Sequence, residues 1–458
     1  MSTCRAVALE VLRLAKQRKG FAQELLEAHC DHLSPADRRL TYTLVLGIIR
    51  RVATLDALIR PFLTKPIADM HPDTLDLLRL GVYQLVLLDG IPAHAAVHET
   101  VELTPDVVKK FVNAILRKVA GVVTTEWVDD IGSDTVPTDR GRFRLLYEEL
   151  LPHPFEEPLE YLTAAMSFPH WLMQRWITRF GPRECVRLGF WFNDPPPIWL
   201  RINTNVVNRA DMLNRISGEA GEHPQSIRLT ENMAIRDIPG YAEGHFAVQD
   251  HSSMLVASAL NPQPGWTVLD LCAAPGGKTT HLAELMRQQG QIIACDLVAE
   301  RLQTVTALCQ QLGTRIVKTM AIPEGTAAPM GPFDAALVDA PCSNTGVLGR
   351  RPEVRWRLAP EEFPHLVKLQ TKLLNDALDR VRPGGVVVYS TCSIEPDENE
   401  GVVQAVLKNR EDWSLVAEHT SLPGKPSDGG YWAKLERTCS VGTQSIPPRS
   451  SAGTRVCH

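Results

Sequence analysis

From Gly265 to Tyr389, short apolar runs alternate with amphipathic stretches, a pattern that few folds can accommodate. Residues 267–271, 291–295, 314–317, 333–338 and 385–389 have the length and composition of buried strands. Between them, 281–287, 300–312 and 366–381 carry helical spacing. A strand that returns through a helix re-enters the sheet parallel to the one before it, so the helices cover both faces of the sheet. The pattern predicts a doubly wound α/β sheet with its ligand sites at the carboxyl ends of the strands.

Three loops fall at those ends. The first, Asp270-Leu271-Cys272-Ala273-Ala274-Pro275-Gly276-Gly277-Lys278-Thr279-Thr280, follows the first strand and opens a helix. Small residues and two glycines let its backbone pass close to a ligand. A nucleoside-triphosphate loop would need glycine five residues before Gly277, where Cys272 stands, and the dinucleotide pattern G-x-G-x-x-G is missing. Asp296 ends the second strand about 20 residues past the glycines, where a carboxylate can accept from ribose hydroxyls. The alternative for Asp296 is a helix cap before Ala299. One nucleoside site without a pyrophosphate fingerprint favours S-adenosylmethionine, held by Cys272, Ala273, Ala274, Pro275, Gly276, Gly277, Lys278 and Asp296, with Asp339 nearby.

The other two loops are Asp339-Ala340-Pro341-Cys342-Ser343 and Ser390-Thr391-Cys392-Ser393. Carbon 5 of a pyrimidine is a poor nucleophile, and adding a thiolate at carbon 6 makes it enamine-like. Cysteine suits that step because its thiolate both attacks and leaves. Asp339 is the carboxyl group placed to manage charge at the neighbouring ring nitrogen. Burial is the commonest fate of a free cysteine and is the reading for Cys4, Cys30, Cys185, Cys295 and Cys309. Two cysteines at the ligand face beside a nucleoside loop are a demanding coincidence on that reading. Zinc is not expected: His94 and His98 have i, i+4 spacing, but Ala95 occupies the place of the glutamate in H-E-x-x-H.

Upstream, residues 5–120 show helical periodicity without strand-like alternation, as in Val7, Val11, Leu14 and Val108, Val112, Ile115, Val119. Ser34-Pro35-Ala36-Asp37 reads as a helix start. Five or six helices here make an all-α bundle. Residues 126–150 read as a linker, 151–255 as a small α/β subdomain, 256–437 as the doubly wound domain and 438–458 as a disordered tail. Net charge over 458 residues is −5, but residues 1–120 hold 16 Lys/Arg against 13 Asp/Glu. A modest basic surface at that end is compatible with phosphate contacts through Arg38, Arg39, Arg50, Arg51, Lys109 and Lys110, the alternative being that these are solvated faces. Ten cysteines without a C-x-x-C pair read as free thiols. With no apolar run of membrane length and no secretory leader pattern in the opening residues, a cytoplasmic monomer with no membrane partner is expected.

The three strand-end loops resemble those of the RNA cytosine-C5 methyltransferases of the Fmu/Sun (RsmB) group, similar to the Nop2/Sun proteins, and the likeness extends over most of residues 1–437. The bundle resembles NusB through Asp37-Arg38-Arg39, 78–85 and 111–117. The resemblance implies a NusB-like RNA-binding bundle, a small RRM-like middle subdomain and a Rossmann-like methyltransferase domain. It also implies S-adenosylmethionine as cofactor and 16S ribosomal RNA as partner, with cytosine 967 the target. By the same resemblance, Cys392 attacks the base and Cys342 assists product release. Val248-Gln249-Asp250-His251-Ser252 is implied to lie beside the cofactor, and Arg350, Arg351, Arg355 and Arg357 to steer phosphate toward Cys392. The sequence departs from the family where Thr319-Met320-Ala321-Ile322 replaces an acid after the third strand and where Asn344 replaces a smaller residue. DNA cytosine methylation and a non-catalytic RNA-binding assembly factor remain the rival readings.

Overall fold

The computed structural model describes residues 3–138, 141–231, 233–324, 326 and 328–439. The tail expected to be disordered lies outside the described residues from 440 on.

Residues 3–122 fold as seven α-helices, Cys4–Lys16, Ala22–His29, Pro35–Arg50, Val52–Ile59, Pro72–Leu87, Ala93–Glu102 and Asp106–Val122. The expected start at Ser34 is present: its hydroxyl accepts from Asp37 N at 3.2 Å with Pro35 at the first helical position. The segment read as a linker carries three short strands, β1 (Val123–Val128), β2 (Thr135–Pro137) and β3 (Phe143–Leu146), paired antiparallel in the order β1-β3-β2. Buried Arg144 ties this sheet to the bundle through an ion pair with Asp89 and stacks on Trp127. Helices Pro158–Ala165, His170–Phe180 and Pro182–Asn193 bury Leu162, Trp176 and Phe192 in the same continuous core as the bundle.

Strands β4 (Trp199–Ile202), β5 (Gly218–Ala220), β6 (Ser226–Leu229) and β7 (Phe246–Val248) form a four-stranded antiparallel sheet, order β5-β6-β4-β7, over a small core of its own. The large sheet comprises β8 (Thr267–Leu271), β9 (Gln291–Asp296), β10 (Val317–Ala321), β11 (Phe333–Asp339), β12 (Val381–Thr391), β13 (Trp413–Ser421) and β14 (Gly430–Arg437). Its order is β10-β9-β8-β11-β12-β14-β13. The five predicted strands are parallel, while β14 and β13 extend the sheet antiparallel beyond β12, so the sheet is mixed rather than wholly parallel.

Residues 349–357 run from the catalytic domain into the bundle. Arg50 donates to Gly349 O, Trp356 Nε1 to Ile49 O, and Glu353 accepts from Ala22 N. Arg355 is fully buried and donates to the carbonyls of Arg50, Ser167 and Phe192 and to Asn193 Oδ1. Arg357 donates to Ala15 O and Gly20 O. These arginines crosslink backbone carbonyls of segments far apart in the chain. Arg355→Ala is therefore expected to lose about 3 kcal/mol or more in urea denaturation, whereas Arg39→Ala on the exposed bundle face stays within about 0.5 kcal/mol.

Candidate active site

The first loop leaves β8 with Cys272 and Gly276 both at positive φ, +63° and +106°, which folds the chain back on itself within five residues. A Cβ at Gly276 would stand 3.0 Å from Val305 Cα, so glycine is required for both its φ and the close approach. Ala273 N bonds Cys295 O at 2.8 Å, fastening the loop to the end of β9. Asp296 is buried and accepts from Ala274 N at 3.3 Å, Val298 N at 3.2 Å and Arg301 Nη1 at 3.3 Å. The carboxylate of Asp296 thus braces both the glycine loop and the turn into helix Ala299–Gln311, with Arg301 paired to it.

Asp270, near the end of β8, is fully buried and accepts from Thr279 Oγ1 at 2.6 Å. Burial pushes its carboxyl up to about 7. Gln249 lies against Gly277, as expected for the segment after β7, and Arg201 of β4 donates to Gly277 O at 2.6 Å while forming a buried ion pair with Glu284. The small sheet therefore holds the helix that the loop opens. Lys278 Nζ reaches across to Asp339 Oδ2 at 2.7 Å, and Asp339 Oδ1 accepts from Ser390 Oγ at 2.9 Å. Three strand ends are joined at this point.

Strands β11 and β12 run in register, Asp339 opposite Ser390, so the loops that leave them lie side by side. Cys342 Sγ and Cys392 Sγ are 3.2 Å apart, and both residues are half-buried. Gly346 N donates to Cys392 O at 3.0 Å, and a Cβ at Gly346 would fall 2.8 Å from that oxygen, so the close approach of the two loops needs glycine. The hydrogen bond from Cys342 holds the Cys392 thiol below its ordinary range, and Arg351 and Lys278 help against burial and Asp339. The same bond, burial and the charges of Cys392 and Glu398 push Cys342 well above it. The charges around the pair thus favour the thiolate at Cys392, opposed by Asn344 Oδ1, which accepts from the Cys392 thiol at 3.2 Å.

The sequence-predicted residues Cys272 to Lys278, Asp296, Asp339, Cys342 and Cys392 all gather at this one edge. The arginines divide. Arg350 is tied to Asp250 and Asp428, Arg355 is sealed inside and Arg357 is spent on bundle carbonyls, which removes all three from phosphate steering. Arg351 is exposed, lies over the Phe21 ring and is 3.4 Å from Asn344 Oδ1. Likewise Arg50 and Arg51 of the bundle are buried, while Arg39 and Lys110 are exposed; Arg38 pairs with Asp31 and Lys109 with Glu102. Sequence reading missed Glu398, Arg201 and the role of Asn344, whose positive φ of 58° turns its Oδ1 to within 3.2 Å of Cys392 Sγ. A cavity of about 420 Å³ between helix Ala299–Gln311 and β10, lined by Leu302, Thr306 and Thr319 among others, contains none of the predicted site residues. Among the described residues, no cluster of His, Cys, Asp and Glu could hold a metal, and no helix is long and apolar enough to cross a membrane.

Family models match along the chain: NusB family over residues 2–121, a Methyltr_RsmF/B-like ferredoxin-like domain over 168–236 and 16S rRNA methyltransferase RsmB/F over 257–431. A probable ribosomal RNA small subunit methyltransferase B of Synechocystis is 37% identical over 93% of this chain and 94% of its own length. The chain belongs to the RsmB/F family of S-adenosylmethionine-dependent RNA methyltransferases. A probable small subunit methyltransferase B of Bacillus subtilis is 32% identical over 90% of each chain. The solved structure of a methyltransferase homolog protein from Pyrococcus horikoshii superposes with a TM-score of 0.54 at 27% identity, covering 61% of this chain and 99% of that one. The RsmB/F architecture of helical NusB-like bundle, small middle sheet and Rossmann-like methyltransferase domain is thus present in full.

Because burial raises the Asp270 carboxyl from 3.8 to about 7, the folded RsmB/F chain binds its proton more tightly than the unfolded chain does. The contribution of Asp270 to stability therefore falls as pH rises from about 4 to about 7. Asp270→Asn should remove that slope, so thermal melts of variant and wild type diverge with rising pH, in the variant's favour by up to about 4 kcal/mol at pH 8.

Proposed function

We propose that this chain methylates carbon 5 of a cytosine in 16S ribosomal RNA, cytosine 967 by the family resemblance, with Cys392 as the nucleophile. The observation that carries the reading is the sulfur pair 3.2 Å apart at the same sheet edge as the glycine turn. S-adenosylmethionine fits the residues there: a turn of small residues with a buried carboxylate at each of its two strand ends, Asp270 and Asp296, and Lys278 at the helix start. Cys272 to Lys278 and Asp296 would hold it, with Asp339 at the boundary with the base. When bound, it supplies an electrophilic methyl group.

The residues of the chain divide the rest of the work. A target base stacked in a helix shields its carbon 6 face, so it must be extruded to reach Cys392. The Cys392 thiolate bonds to carbon 6, and electron density moves to carbon 5. Asp339, fixed by Lys278 and Ser390, faces the ring nitrogen where charge develops. After carbon 5 has been alkylated, a general base takes its proton, that electron pair re-forms the ring double bond and the sulfur–carbon bond breaks to return the Cys392 thiolate; Cys342 is assigned to this release. Arg351 is the exposed cation nearest the pair and is suited to a flanking phosphate. Arg39 and Lys110 are exposed cations of the bundle suited to further phosphate contacts. An enzyme of this substrate class acts in the cytoplasm, and one chain contains every residue the chemistry uses.

Cys392→Ala should abolish methylation and form no covalent adduct, whereas Cys342→Ala should accumulate a protein–RNA complex on denaturing gels. The reverse pattern moves the nucleophile to Cys342. Bisulfite sequencing of ribosomal RNA from a deletion strain should show one unprotected cytosine. Methylation of duplex DNA but not of ribosomal RNA, or calorimetry without S-adenosylmethionine binding, would contradict the proposal.

A further inference from the structure

Beneath the sulfur pair lies a carboxylate that no step above uses. Glu398 is fully buried in the turn Pro396–Glu398. Its Oε1 accepts from Ser343 N at 2.8 Å and Gln370 Nε2 at 2.9 Å; its Oε2 accepts from Ser393 Oγ at 2.6 Å and from Ser343 Oγ. Ser343 directly follows Cys342 and Ser393 directly follows Cys392, so one carboxylate grips both cysteine loops one residue from each sulfur. Every hydrogen bond to it comes from a neutral donor. A buried anion held in this way depends on all of its donors and projects its field into a medium that screens it weakly.

The charges around the pair are distributed unevenly. Lys278, from the cofactor helix, and Arg351, from the segment after the Cys342 loop, act on Cys392, and Asp339 at the end of β11 opposes them. Glu398 acts on Cys342, and the Tyr389 phenol of β12 lies close enough to feel Cys342, Glu398 and Asp339. Asp270 stands behind Lys278.

We propose that Glu398 is a positioning residue that makes the two cysteines an unequal pair: it clamps both loops so that the sulfurs stay at hydrogen-bond distance and, by its charge on the Cys342 side, keeps the shared proton on Cys342 and leaves Cys392 as the thiolate. This inference rests on the reading of Cys392 as nucleophile.

The test is the pH dependence of iodoacetamide alkylation at each cysteine, followed by peptide mass spectrometry in the full-length protein, alongside methyl transfer. In the wild type, Cys392 should react ahead of Cys342, with a midpoint below that of an ordinary thiol. Glu398→Gln, which keeps the shape and removes the charge, should lower the Cys342 midpoint by about one pH unit, so that the ratio of Cys392 to Cys342 alkylation at pH 7 falls about tenfold. Methyl transfer at pH 7 should fall as the thiolate divides between the two sulfurs; a purely structural disturbance would lower it without moving the Cys342 midpoint. Glu398→Asp should restore part of the wild-type ratio. If Glu398→Gln does not fold, Ser343→Ala and Ser393→Ala each remove a tether and should narrow the same ratio. An unchanged ratio in the folded variants overturns the role of Glu398. Faster reaction of Cys342 in the wild type instead overturns the assignment of the nucleophile.

Discussion

The parallel pairing of β11 with β12 is the constraint from which the site follows. Asp339 and Ser390 stand opposite each other at the last rung, so the chain leaves both strands at the same height and the two cysteine loops must run together. Ala340 N bonds Ser390 O and Gly346 N bonds Cys392 O, which continues the pairing past the sheet. Two sulfurs brought that close compete for one proton, and the surrounding charges decide which keeps it. Lys278 and Asp339 then connect this pair to the glycine turn on the other side of β8. The relative positions of the glycine turn, Asp339 and the two cysteines are thereby set by sheet register.

The other domains brace this edge from two directions. Arg201 of the small sheet holds the start of the cofactor helix by its carbonyl at Gly277, and its ion pair with Glu284 is closed off from solvent. Residues 349–357, a few positions past Cys342, are pinned into the helical bundle by Arg50, Trp356, Arg355 and Arg357. The NusB-like bundle is therefore attached, through one short segment, to the loop that carries Cys342. Buried arginines are apt for this because a planar guanidinium satisfies several carbonyls at once.

The five parallel strands and the three loops were legible in the sequence because each is a short apolar run ending in residues with chemistry of their own. Strands β13 and β14 were not, for different reasons. Trp413–Ser421 is an exposed edge strand whose residues show no alternation. In Gly430–Arg437 a period of two was present in Tyr431, Ala433 and Leu435, which are buried in turn, but it followed no helix and broke the alternating rule. The third strand begins where its apolar residues end, at Val317, since the rest of an edge strand need not be apolar. Residues 126–150 looked like a linker because three short strands give too few repeats to register a period. The arginines show the deeper limit. Arg351 and Arg355 are four residues apart in one charged run, yet one is on the surface and the other is sealed among carbonyls from residues 50, 167 and 192. Glu398 was invisible for the same reason: one of its serines is 55 residues away, and only the fold brings them together.

The central claim is that the sulfur of Cys392 bonds to the target base. Ribosomal RNA carrying 5-azacytidine has nitrogen in place of carbon 5 and no proton to lose there, so an adduct formed on it persists. Digesting that trapped complex with protease and nuclease and sequencing the modified peptide by mass spectrometry should find the nucleotide on Cys392. Its appearance on Cys342, or on neither cysteine, would contradict the account.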